Sequence, residues 1–560
     1  MAGGYLNIIA IGNANVLLTG NPTKTFFSAA YSKHTNFGLQ RYRLDYDGTR
    51  DLRLAEESKF TFKIKKYADL LMDMCVVINL PDIWSPIYNP SPETNFKWVG
   101  YDFKWIEDIG MQMIKSIEIN CGSVMIQKYS GSYLSSMTNR DFTKEKKDLF
   151  NEMSGNIDAI HDPANAFGRK NTYPSAYFTN TTAGAEPSIR GKTLMIPINA
   201  WFSLNTRCAF PLTSLLYSEL TITVTIRPIQ ELFRVRDIFD SDNKYPYIQP
   251  DFNQEHFQMY RFLQTPPAIR IDTLSRAYQN IQRIWNADIN LSCTYCFLSN
   301  EESLKFAKES QVYLVKDVIQ HDFNNIVGTK KIRLENSSGM VSSWLFHLQR
   351  NDVNMRNEWN NYSNWPYNSL PSNVVIAPYD ISSNVNIGID ASMQLLHGPL
   401  VNPNLTNTNI SVSGNYSIDN QKEILLSMGI VLDGEYRENI LQRGIFDYIE
   451  KYTRTSGFAK EGIYCYNFCL STNPSNYQPS GALNLSKFKN IELEVSTFTP
   501  TILPNNSSFT VVCSSTGVPI AVTRKPNWQL YQYSYNMTIY EERYNILSFV
   551  DGNIGMMFTR

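Results

Sequence analysis

Short stretches of strict two-residue alternation recur along the whole chain. In the first half they are Phe60-Thr-Phe-Lys-Ile-Lys65, Ile117-Glu-Ile-Asn-Cys121 and Leu220-Thr-Ile-Thr-Val-Thr-Ile226. In the second they are Lys331-Ile-Arg-Leu-Glu335, Ile491-Glu-Leu-Glu-Val495 and Gln529-Leu-Tyr-Gln-Tyr-Ser-Tyr535. A side-chain period of two places one face of a strand in a core and the other in water, so antiparallel sheets are expected in both halves. The aromatic content of 33 Tyr, 30 Phe and 9 Trp suits pleated, half-buried surfaces. The chain is therefore expected to be all-β. Its 560 residues exceed the roughly 250–300 at which a single core stops growing, which predicts two domains of about 250 residues each.

Helical signals are few. Asp141 to Met153 sets Lys and Glu around Phe142, Leu149, Phe150 and Met153, and Gly155 supplies a stop. Asn300-Glu-Glu-Ser-Leu-Lys-Phe-Ala-Lys308 offers Asn300 as a cap before acidic first-turn residues; it lies between the β-rich halves and marks the expected boundary. Two long polar loops, Asp162–Gly191 and Ser382–Gln421, are expected to stand away from the core.

With 51 Lys plus Arg against 52 Asp plus Glu, the chain lacks the basic excess that neutralises phosphates, so direct nucleic-acid binding is not expected. Near-zero net charge favours association. The start, Met1 to Gly12, is apolar in part but has no cationic n-region and too short an apolar run for a signal peptide or a membrane span. A protein made in and kept in the cytosol until assembly is expected. On that basis the eight Cys are read as buried thiols, and the sequons at Asn404, Asn409 and Asn415 as turn chemistry.

Signatures of chemistry fail on inspection. Gly20-Asn-Pro-Thr-Lys-Thr25 mimics the end of a phosphate loop, but Leu18 and Thr23 stand where glycines must let the backbone wrap phosphate; a turn before a strand is the better account. Cys293-x-x-Cys296 and Cys465-x-x-x-Cys469 lie in strand-like sequence, where the first pair would face opposite sides. The six His form no His-x-His or His-x-x-x-His pair, and the carboxylates Asp237, Asp240 and Asp242 lack the glycine and glutamate of a calcium loop. There is no Gly-x-Ser-x-Gly elbow. No catalytic, cofactor-binding or metal-ligating residue is assigned, and no enzyme or cofactor is expected.

Two signatures more than 400 residues apart bear on function: Thr19-Gly-Asn-Pro-Thr-Lys-Thr-Phe-Phe27, continuing through Tyr31 and His34 to Phe37, and Gln478-Pro-Ser-Gly-Ala-Leu-Asn-Leu-Ser486. Between them, in order, come Trp105-Ile-Glu-Asp-Ile-Gly110, Ile117 to Gly122, Gly131-Ser-Tyr-Leu134, Ile196-Pro-Ile-Asn-Ala-Trp-Phe202, Ala209-Phe-Pro-Leu212, Arg437 with Gly444 and Phe446, and Ile463 to Phe468. The end, Tyr540-Glu-Glu-Arg-Tyr-Asn-Ile-Leu547 with Gly552 and Gly555, completes the series. Together these motifs resemble the major capsid proteins of nucleocytoplasmic large double-stranded DNA viruses.

The resemblance implies a double jelly roll, two tandem eight-stranded antiparallel sandwiches. Residues 1–25 would form an N-terminal base arm, with Tyr5 to Ile11 as its apolar part. Residues 26–303 would form the first jelly roll and 304–560 the second. It further implies homotrimers of pseudo-hexagonal outline that tile an icosahedral shell, contacts with minor capsid and penton proteins and with an internal membrane beneath the shell, and a place in the virion after assembly in the host cytoplasm. A jelly-roll spike or lectin-like attachment protein is the alternative, since long loops on a β scaffold can bind glycans.

Overall fold

The computed structural model describes residues 3–48, 51–88, 99–169, 172–176, 185–240, 245–267, 278, 281–368, 400–402, 405–408, 421–500, 510–523 and 528–558. Eight strands in the first half carry the framework: β1 Phe37–Leu44, β2 Ser58–Lys63, β3 Leu70–Asn79, β4 Ile114–Cys121, β5 Val124–Tyr129, β6 Thr193–Pro197, β7 Leu220–Ile226 and β8 Asn290–Leu298. Eight more follow in the second: β9 Gln311–Ile326, β10 Thr329–Arg333, β11 Met340–Arg350, β12 Leu425–Leu432, β13 Glu435–Gln442, β14 Ile463–Asn467, β15 Ile491–Thr497 and β16 Tyr535–Val550.

In the first half one sheet runs β1-β8-β3-β6 and the facing sheet β2-β7-β4-β5; in the second half the orders are β9-β16-β11-β14 and β10-β15-β12-β13. Every pairing among these strands is antiparallel. Counting eight strands onward from any strand of the first half reaches its counterpart in the second. Each half is thus an eight-stranded jelly roll with the same connectivity, and the chain is a double jelly roll. The alternation seen in the sequence survives in burial. Strand β15 reads buried, half-buried, buried along Ile491–Thr497, and β2 buries Phe60 and Phe62 while exposing Lys59 and Lys63.

Several expectations need correction. The helix read over Asp141–Met153 starts at Lys144 and runs to Ser154, and an unexpected helix precedes it; in chain order these are α1 Gly131–Asp141 and α2 Lys144–Ser154. Ser130 caps α1 by accepting the Tyr133 N–H, and the chain turns extended at Phe142 and Thr143. Gly155 ends α2 in the left-handed region at φ 78°, as its position predicts. Helix α3 spans Asn300–Lys308, but Ser299 occupies the cap and makes no side-chain cap bond. Gln529–Ser534 does not extend strand β16, which starts at Tyr535. The turn at Gly20-Asn-Pro is followed by an irregular stretch, and pairing begins only at Phe37.

The loop Asp162–Gly191 does not stand away from the core in its described parts: Ile83 and Ile189 form a bridge, and Ile189 and Ala176 are buried. Apolar side chains in an otherwise polar loop draw it back onto the first roll. Of Ser382–Gln421, only Leu400–Asn402, Leu405–Thr408 and Gln421 are described; the sequon asparagines Asn404, Asn409 and Asn415 lie outside the described residues.

Candidate functional site: the seam between the two rolls

The two sheets containing the first and last strands of each roll are treated differently. In the second roll, β16 is buried on both faces from Ile539 to Arg543. Its residues Tyr535, Met537 and Ile539 enter the second roll's own core. Tyr540, Leu547 and Phe549 instead join the first roll's core, together with Val315, Leu345 and Cys465. One apolar cluster therefore crosses from one roll into the other. At its edge Trp201 stands 5.3 Å from Tyr313, and Phe210 lies 5.3 Å from Phe549 at 84°, an edge-to-face contact that adds to burial.

Charge is buried in the middle of this apolar seam. Glu542 accepts from the Arg140 guanidinium at 2.8 Å, the Tyr133 hydroxyl at 2.8 Å and the Ser343 hydroxyl at 2.5 Å, and Lys316 Nζ lies 3.3 Å away. Arg140 also donates to Asp141 at 2.7 and 3.1 Å. Burial pushes the Glu542 carboxyl up, but the Arg140 and Lys316 charges outweigh it and hold the group well below the usual carboxylate range. Asp141 is raised, because burial outweighs the same arginine. Glu542 and Lys316 belong to the second roll and Arg140, Asp141 and Tyr133 to the first, so the network ties one to the other. A buried ion network costs desolvation that is offset only where its partners are aligned, as they are here across the two rolls.

A second tie runs through the segment after β11. Asn357 donates to the Gln230 and Phe233 carbonyls at 2.8 and 2.6 Å, and Trp359 donates to the Glu231 carbonyl at 3.0 Å. The Arg227 guanidinium lies 4.2 Å from the Trp359 ring centre, Arg234 pairs with Glu358, and Lys460 lies 3.6 Å from Glu107. Backbone meets backbone where the Gly457 N–H donates to the Arg140 carbonyl at 2.9 Å. A Cβ on Gly457 would sit 2.6 Å from both the Arg140 and Phe142 carbonyl oxygens, so no larger residue fits this approach. Gly131 is equally constrained, with a Cβ position 1.9 Å from the Met111 carbonyl oxygen.

Most of the motifs singled out in the sequence converge on this seam. Gly131 to Leu134 opens α1, which carries Arg140 to Glu542. Trp201 and Phe210 bring the proline-marked segments of the first roll against Tyr313 and Phe549. Gln478 and Pro479 line a cleft there with Tyr129 and Lys316. The final block, Tyr540 to Leu547, is strand β16 itself. Arg437, Gly444 and Phe446 lie elsewhere: Arg437 bonds the Tyr466 hydroxyl at 3.3 Å, and Phe446 packs in the second core. Cys293 belongs to the large core and Cys296 to a separate small cluster with Leu70 and Ala209, so the Cys-x-x-Cys spacing does not converge on one point. Among the described residues, no group of three or more His, Cys, Asp or Glu side chains is placed to hold a metal ion. Sequence reasoning missed Arg140, Lys316 and Ser343. The signal was present for Lys316, a charge set in the apolar run Val312 to Val318.

Residues 25–263 match the family model described as major capsid protein N-terminus. The chain is 23% identical over 534 residues to the major capsid protein of Phaeocystis pouchetii virus, covering 88% of this chain and 93% of that protein. It is 22% identical to the major capsid protein of Paramecium bursaria Chlorella virus 1 over the full length of both. The fold resembles the Chlorella virus capsid quasi-atomic model, with a TM-score of 0.58, 16% identity and coverage of 96% of this chain and 100% of that one. It resembles the Faustovirus major capsid protein with the same TM-score of 0.58, at 11% identity over 96% and 94%. With two connectivity-matched rolls, motifs gathered at their joint and relatives matched end to end, the chain has the double jelly-roll fold and is similar along its whole length to the major capsid proteins of large DNA viruses.

Proposed function

We propose that this chain builds the shell of a large icosahedral DNA virus as a homotrimer of pseudo-hexagonal outline. Its similarity to capsid proteins supports a structural virion component and not an enzyme. The observation that carries the finer reading is the repeated strand order in two rolls joined by a buried seam. Three copies of a rigid two-lobed body give six similar lobes, and closed rotational symmetry is the ordinary way such a body associates. A flexible joint would let the lobes tilt and spoil the tiling.

In this reading residues 26–303 and 304–560 are the two lobes, and residues 1–25 form a base arm beneath the lattice. The arm's support is its exposure: every residue from Gly3 to Arg41 is exposed on its own chain, including Tyr5, Ile8, Ile9, Leu17 and Leu18. Apolar surface of this extent is stabilised by a partner. Trimers would contact one another, minor capsid and penton proteins and an internal membrane, with assembly in the host cytoplasm. Light scattering on the purified protein, with negative-stain imaging of the same peak, tests the reading. A trimer mass with a hexagonal outline supports it, and a stable monomer with no tendency to form a lattice favours an attachment protein.

A further inference from the structure

A cavity of about 830 Å³ opens between the segment that follows β11 and the connection from β13 to β14. That size lies within the roughly 300–1,000 Å³ typical of small-ligand sites. Its rim is aromatic: Tyr448, Tyr452 and Phe458 line it, with Tyr452 91% and Phe458 84% exposed. Exposed aromatic side chains grouped at the mouth of a cavity mark a binding surface better than isolated apolar residues do. Beneath them the wall is polar. Lys451 Nζ lies 2.5 Å from Asp447, Lys422 Nζ lies 2.9 Å from Glu461, and the Tyr448 hydroxyl donates to Glu461 at 3.4 Å.

This combination narrows the ligand. A third ammonium in the wall, Lys460, is already engaged by the Asn360 carbonyl at 2.7 Å and by Glu107. The remaining cations and carboxylates are matched in number, so the site favours neither an anion nor a cation. A purely apolar ligand would strip water from these ion pairs without replacing the hydrogen bonds that water gives their remaining donors and acceptors, at a desolvation cost. A ligand carrying many hydroxyls fits both features. Each hydroxyl is one donor and two acceptors, so adjacent hydroxyls can donate to Asp447 or Glu461 and accept from Lys451 or Lys422, in charge-assisted bonds. The C–H face of a sugar ring presents a weakly positive surface to the negative face of an aromatic ring.

We propose that this cavity is a carbohydrate site for a neutral sugar, with Tyr452 and Phe458 stacking on the ring and the two ion pairs reading its hydroxyls. The site is complete within one chain and does not depend on the trimer reading. Displayed on a many-copy shell, it would act through avidity, where weak single contacts add without any new one.

Saturation-transfer NMR on the full-length purified protein tests this, with D-glucose, D-galactose, D-mannose, L-fucose and N-acetylglucosamine offered singly. At least one sugar is expected to give transfer, weakened about tenfold or more in the double variant Tyr452→Ala/Phe458→Ala and unchanged in Tyr217→Ala, a 77% exposed aromatic elsewhere. Because Tyr452 and Phe458 are exposed, the double variant should retain the wild-type melting profile. Absence of transfer from the whole panel overturns the proposal, as does binding unchanged in the double variant. Loss of self-association in the double variant without sugar binding would also overturn it, by identifying the patch as a contact between copies.

Discussion

Glu542 shows how a single side chain can be costly to bury and costlier to remove. Its carboxylate is stable only because Arg140, Lys316, Tyr133 and Ser343 surround it. Glu542→Gln keeps the size and removes the charge, leaving Lys316 and part of Arg140 uncompensated. Breaking a buried pair costs about 3–5 kcal/mol, and urea unfolding at neutral pH should show a loss of that order; a midpoint within error of wild type would sink this account. The pH dependence has a definite sign. Because the folded pKa is depressed, the stability from Glu542 is fully present above the unfolded carboxyl value and is lost as pH falls through the folded one. The gap between wild type and Glu542→Gln should therefore narrow on acidification.

At the scale of elements, the strands were legible and the joint between them was not. Alternation in Leu220–Ile226 and Ile491–Val495 follows from one wet and one dry face, and both segments are strands in the structure. Helix α1 escaped notice because Gly-Ser-Tyr-Leu-Ser-Ser-Met-Thr-Asn-Arg-Asp is buried on nearly all sides, so it lacks the amphipathic stripe by which helices are recognised. Nothing local marks Arg140 either: its partner Glu542 lies 402 positions away, and local pattern carries no information over that distance. The Gly457 contact is equally non-local. Gly457→Ala would force the loop off the Arg140 and Phe142 carbonyls, and the named effect is loss of the seam with both rolls intact. Limited proteolysis should then cut near residues 455–460 faster than in wild type while circular dichroism retains its β signal; unchanged cleavage would show that the loop adjusts at little cost.

For the molecule as a whole, the resemblance in sequence pointed to the double jelly roll, which the structure has, and the structure adds the unequal treatment of the two rolls. The sheet β9-β16-β11-β14 of the second roll packs in part against the first, whereas edge strand β1 of the first is exposed from Phe37 to Arg41. An open edge is a ready template for another chain, and it continues directly from the uncovered N-terminal segment. If that segment serves contacts between copies, deleting residues 1–25 should leave the copy number and melting of the smallest soluble unit unchanged and abolish larger assemblies. Lattice formation by the shortened chain would remove the arm from the account.

Strand β16 contributes side chains to both apolar cores, and this sets a timetable for synthesis. The first roll's own strands are complete at Leu298, yet one wall of its core comes from a strand ending at Val550. At ~5–20 residues per second on the ribosome, the interval is on the order of 10–50 s. Through that time the nascent first roll presents an uncovered greasy flank in a crowded cell, next to an unpaired edge. The feature that makes the finished molecule rigid is the one that leaves the half-made molecule sticky, so the yield of folded protein depends on how well that flank is shielded until the last strand arrives.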